Sequence, residues 1–124
     1  MKTLVVALLL VGSLFAECSG PKDQRIQVDA RFKNGGEVPQ LLFVSVIKER
    51  LNSIPHVCVV QSGPTYFVDI AGVSLDGQIF AVSIAWGPGL YVSHNVATFA
   101  NDRNQVRDVA QISADSIAES ATPK

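Results

Sequence analysis

Three residues of this chain could be written as a nucleophile set, with Cys58 as the attacking thiolate, His94 as its base and Asp69 orienting the imidazole. Such a set needs hydrogen-bond reach between thiol and imidazole, and nothing in the spacing of 58, 69 and 94 brings them together. His56, the other histidine, follows Pro55 at a helix-to-strand junction, a surface position. His94 shares the register of Leu90, Val92 and Val96 and suits an ordinary hydrogen-bonded histidine at the edge of a core. No oxyanion donors can be assigned either, so the expectation is a protein that is not an enzyme. A small hydrolase using Cys58 and His94 stands as an alternative.

Other chemistries find less support. There is no Cys-x-x-Cys and no Cys/His zinc spacing. Gly35-Gly36 and Gly87-Pro88-Gly89 lack phosphate-loop spacing and a following Lys-Ser/Thr, so they are turns and no cofactor is expected. Ten basic residues stand against eleven acidic ones, a net charge of −1. With no basic patch and no interleaved aromatics, nucleic acid is not an expected partner.

The elements that must position these residues follow from length and patterning. The chain has 124 residues, 48% hydrophobic and 17% charged, too short for a two-domain enzyme and too apolar for a disordered one. Residues 1–18 have the form of a secretory signal peptide: Lys2 near the start, an apolar run from Leu4 to Phe15, then small residues. That run is shorter than the roughly 20 residues of a membrane-crossing helix, and no later segment approaches that length. Cleavage after Ala16 or after Cys18 is compatible with the junction Ala16-Glu17-Cys18-Ser19. Lipidation of Cys18 is a third outcome, although Glu17 stands where a lipoprotein signal has a small residue. The protein is thus expected to be exported, periplasmic or secreted, with a membrane-anchored lipoprotein less favoured. In an oxidising compartment a Cys18–Cys58 disulfide can form if Cys18 survives; otherwise Cys58 is a small buried strand residue.

Residues 19–24 read as a flexible leader and 25–121 as a single α+β domain. Ile26, Val28, Ala30 and Phe32 alternate with polar residues, a half-buried strand ended by Asn34-Gly35-Gly36. Pro39 to Ile54 reads as a helix with Phe43, Val44, Ile47, Leu51 and Ile54 on one side. Leu41, Leu42 and Val46 lie off that stripe, against a loop or the second helix, or as a partner patch. Val57 to Gln61, Tyr66 to Val73, Ile79 to Trp86 and Leu90 to Phe99 read as strands, with Asp76-Gly77 a strong hairpin signal. Asp102 with Gln105 suggests a capping box opening a last helix with Val106, Val109, Ala110, Ser113, Ile117 and Ala121 on its apolar stripe and Asp108, Asp115 and Glu119 on a solvated face. The expected fold is a two-layer α+β sandwich. One mixed, mostly antiparallel sheet in the order β-α-β-β-β-β-α carries both helices on one face. A right-handed crossover would set strands one and two parallel. The expected core is Val28, Phe32, Ile47, Leu51, Val68, Ile70, Phe80, Val82, Ile84 and Val106.

The string Val57-Cys58-Val59-Val60, a short linker, and Tyr66-Phe67-Val68-Asp69-Ile70-Ala71-Gly72-Val73 resembles small bacterial envelope domains. These are the amino-terminal domain of the Tol translocation protein and the periplasmic domain of curli-type secretion lipoproteins. The order of elements matches over roughly residues 40–118, with Thr65 in place of the usual acidic residue before Tyr66. The resemblance implies an assembly or interaction module without catalytic residues.

The sheet face away from the helices is where an interface is expected. Phe67, Ile79, Ala81, Ala85 and Tyr91 would point outward there, with Asp69, Ser83 and Ser93 among them. A protein partner or a homodimer would use Phe67, Asp69, Ile79, Ala81, Ala85 and Tyr91. The favoured function is an exported binding or assembly module of the cell envelope. A secreted inhibitor or immunity-type protein, acting through the turns at Asp76-Gly77 and Gly87–Gly89, is a second alternative.

Overall fold

A computed structural model describes residues 24–91 and 93–121. The signal peptide, Cys18 and nearly all of the expected leader lie outside them; Gln24, assigned to the leader, begins the first strand. The elements are β1 (Gln24–Arg31), a 3-10 turn (Lys33–Gly35), α1 (Val38–Asn52), β2 (Val57–Val59), β3 (Tyr66–Leu75), β4 (Ile79–Gly87), β5 (Ser93–Ala100) and α2 (Arg103–Ala121). One five-stranded sheet, ordered β2-β1-β3-β4-β5, carries both helices on one face. This is the expected two-layer sandwich.

The direction of each strand follows from its connection. A helix links β1 to β2, and the two pair in parallel, as a crossover requires. Asp76 and Gly77 both have positive φ (56° and 69°), and Gln78 N–H donates to Leu75 O at 3.1 Å, so the tight turn predicted there joins β3 and β4 antiparallel. β5 then pairs antiparallel with β4. One arrangement was not legible: β2 and β3, joined by residues 60–65, do not pair with each other but flank β1, each parallel to it. The turn at Ser62-Gly63-Pro64 therefore carries the chain from one side of β1 to the other.

The core lies between sheet and helices. Ile26, Val28, Val68, Ile70, Phe80, Val82, Ile84 and Trp86 from the sheet meet Phe43, Ile47, Leu51, Val106, Ala110 and Ile117 from the helices. Phe99 stacks on Phe43 and Phe80, with ring centroids 5.0 and 5.6 Å apart, and so ties α1 to the β4–β5 end. Nine of the ten expected core residues are buried; Phe32, just past the end of β1, packs partly buried against them. Val46 is buried and Leu42 half-buried, whereas Leu41 is exposed. Of the residues off the stripe, then, two belong to the packed side of α1.

Both helix starts are capped. Gln40 Oε1 accepts from Glu37 N–H at 2.8 Å, half of a capping box that opens α1. Asp102 Oδ1 accepts from Asn104 N–H at 2.9 Å and opens α2. Gln105 departs from the expected box: its Oε1 reaches Ala100 N–H and not Asp102 N–H. Asp115 stays on the exposed face of α2, as expected, and from there accepts from Arg50 Nε of α1 at 2.9 Å. That contact raises the guanidinium pKa from its ordinary value, chiefly through the hydrogen bond and then through the carboxylate's charge.

Candidate functional site

Strand register builds the outer face row by row. At one end Leu75 lies beside Ile79 and Ala100, followed by the row Val73, Ala81 and Thr98. The next row is Arg31, Ala71, Ser83 and Val96, and then Asp29, Asp69, Ala85 and His94. Gln27, Phe67 and Gly87 close the other end. Because the alternation of a strand sends every second side chain to this side, one register determines the whole set.

The two ends differ in chemistry. In the polar half, Asp29 and Asp69 are direct neighbours, a repulsive pairing. Each is met by a donor: Gln27 Nε2 donates to Asp29 at 3.1 Å, and Arg31 Nη2 to Asp69 Oδ2 at 2.5 Å. His94 Nε2 and Ser83 Oγ share a hydrogen bond of 2.8 Å. The apolar half leaves Val73 60%, Leu75 57%, Ile79 51% and Val96 60% exposed. Apolar side chains rimmed by polar pairs that satisfy one another make the usual anatomy of an interface.

Of the residues expected here, Phe67, Asp69, Ile79, Ala81 and Ala85 share the face. Tyr91 does not. The last strand starts at Ser93 and not at Leu90, because the ladder begins only where Ser93 meets Trp86, and residues 88–91 form an exposed connection after Gly87. Ser93 also belongs to the helix side, opposite Trp86. Val73, Leu75 and Val96 were missed. Their signal was present as the period of two running from Phe67 beyond Val73 to the Asp76-Gly77 turn.

The alternatives lose their geometry. Cys58 lies on β2 and His94 on β5, opposite edges of the sheet, about 19 Å apart at the usual strand spacing. Cys58 is buried and disulfide-bonded, and a thiol so engaged is no nucleophile. Asp69 is held by Arg31, and His94 by Ser83. The two turns assigned to an inhibitor lie at opposite ends of β4, about 27 Å apart by strand rise. A cleft of about 500 Å³ between the 3-10 turn and the β3–β4 hairpin is lined by Lys33, Glu37, Gln40, Ser74 and Asp76. There the Gln40 amide oxygen and the Ser74 hydroxyl already accept from backbone amides of the surrounding turns. No group of three or more potential metal ligands occurs among the described residues, and no described helix is long and apolar enough to cross a membrane.

No protein-family model and no curated protein matches the chain. Solved structures do. Two crystal forms of a PelC dodecamer from Paraburkholderia phytofirmans superpose with TM-scores of 0.54 and 0.53 at 12% and 14% identity. They cover 82% and 86% of this chain and 88% and 95% of PelC. Protein XCC0632 from Xanthomonas campestris, of family DUF330, superposes with a TM-score of 0.54 at 7% identity, covering 83% of this chain and 87% of its own. At such identities the likeness shows a shared fold.

Proposed function

We propose that this chain is an exported, non-enzymatic assembly module of the cell envelope that associates with copies of itself through the outer face of its sheet. The observation that carries this reading is that Val73, Leu75, Ile79 and Val96, each more than half exposed, lie with Ala81 and Thr98 on the one face away from the helices. Isolated surface aliphatics need no explanation, but a contiguous group marks a contact. The signal-like start supports export, and the resemblance to Tol and curli-type domains supports an assembly role. A homo-oligomer is supported by PelC, which shares the fold and is a dodecamer.

Magnitudes set the kind of contact. Covering a half-exposed aliphatic side chain contributes about 1 kcal/mol. Four of them roughly offset the lower bound, about 4 kcal/mol, for the lost freedom of two associating bodies. The flanking alanines, Thr98 and the polar residues must supply the surplus, about 4 kcal/mol for a millimolar and about 8 kcal/mol for a micromolar Kd, so pairwise association is weak. A dilution series followed by amide NMR tests the surface. The expected shifts are confined to outer-facing residues of β3, β4 and β5, while α1 and α2 stay unmoved; shifts centred on the helices would overturn the assignment.

A further inference from the structure

We infer that the chain's own acceptors hinder strand addition at β2 and β5, with Asn52, Asn95 and Gln105 as side-chain guards; the consequence, that copies meet through the sheet face and not by pairing these two strands, rests on the self-association proposed above. An edge strand turns alternate amides outward, and each is a site where another strand can pair. On β2 the inward groups are identified by Gln24 N–H donating to His56 O at 2.8 Å and Val60 N–H donating to Ile26 O at 2.9 Å. The outward amides are then those of Val57 and Val59. Val57 N–H donates to Ile54 O at 3.2 Å, and Val59 N–H to Asn52 Oδ1 at 2.8 Å. β2 itself thus presents no free outward amide to a newcomer.

On β5 the odd-numbered residues face β4, a series continued by Asn101 N–H donating to Gln78 O at 2.9 Å. The outward amides are those of His94, Val96, Thr98 and Ala100. Val96 N–H donates to Asn95 Oδ1 at 2.9 Å, and Ala100 N–H donates to Gln105 Oε1. The Ala100 carbonyl is engaged as well, accepting from Asp102 N–H at 2.8 Å. Engaged and open positions therefore alternate. An antiparallel newcomer forms its bonded pairs at every second residue, and here every second such pair meets an amide already in use. The sequence of β5, Ser-His-Asn-Val-Ala-Thr-Phe-Ala, contains no lysine, acid or proline, the residues that ordinarily protect an edge. Asn95 and Gln105 do that work by hydrogen bonding.

The test replaces Asn95 and Gln105 together by Ala in the exported protein and measures sedimentation velocity and thioflavin T fluorescence. The association constant is expected to rise about tenfold or more, the scale of one or two net backbone hydrogen bonds. Thioflavin fluorescence should appear with it. Both gains should persist when Val73→Asp and Ile79→Asp disable the face, so that failure of the face reading leaves the edge result standing. Asn95→Asp with Gln105→Glu keeps the acceptors and should behave as the unaltered protein. An Ala double variant that sediments unchanged and binds no dye overturns the inference. If Trp86 emission shows that double variant unfolded, Asn95→Ala alone is followed by hydrogen exchange. The Val96 amide should then exchange about tenfold faster, and an unchanged rate overturns the guard role.

Discussion

At the scale of single residues, the polar half of the outer face is a set of matched pairs that add little to stability. Arg31 and Asp69 form a close ion pair, but their side chains are 72% and 20% exposed. Exposed pairs of this kind are worth under about 1 kcal/mol. Asp69→Ala should therefore shift urea unfolding by less than about 1 kcal/mol, followed through the emission of Trp86, the chain's one tryptophan. A loss of several kcal/mol would mean that the pair is desolvated, against its exposure. His94 shows how far residue identity alone can mislead. Its type invites catalysis, yet its hydrogen-bond partner across the strands is Ser83, and Cys58 is on the far edge.

At the scale of elements, one glycine shows why the sheet closes as it does. Gly72 sits on the helix side of β3 opposite Val82. A Cβ there would approach Ala81 O to 2.8 Å, Val82 Cγ1 to 2.9 Å and the Phe32 ring to 3.1 Å. Phe32 can cover this end of the sheet because nothing projects from Gly72. Gly72→Val should cost about 1–3 kcal/mol by overpacking, read as a lowered denaturant midpoint; an unchanged midpoint would show that Phe32 is free to move away. Element types were legible because alternation and helical stripes are strong, and Asp76-Gly77 marked its turn by residue type. The parallel placement of β2 was legible from the helix between it and β1. Its neighbour relations were not: whether residues 60–65 fold back beside β2 or pass to the far side of β1 depends on tertiary pairing that local pattern does not carry. Tyr91 failed for a similar reason, since the apolar Leu90-Tyr91 looks like a strand start while the ladder waits for Ser93.

At the scale of the whole molecule, a core is enclosed on one side of the sheet and the opposite side is left half apolar. The sequence marked that face through Phe67, Asp69, Ile79, Ala81 and Ala85, and added Tyr91, which lies before the ladder begins. Val73, Leu75 and Ile79 lie at the hairpin end, where β1 has already ended, and Val96 lies further in, in the row of Arg31 and Ser83. The outward amides of Val57, Val59, Val96 and Ala100 are engaged by the chain's own acceptors, which favours the face as the proposed route to assembly. Sedimentation velocity across micromolar to submillimolar concentrations, comparing the unaltered protein with a Val73→Asp, Ile79→Asp variant, tests this account most directly. A concentration-dependent oligomer for the unaltered protein is predicted, weakened at least about tenfold in the variant while Trp86 emission stays native. A single monomeric species at every concentration, or an oligomer that the two aspartates leave intact, would contradict it.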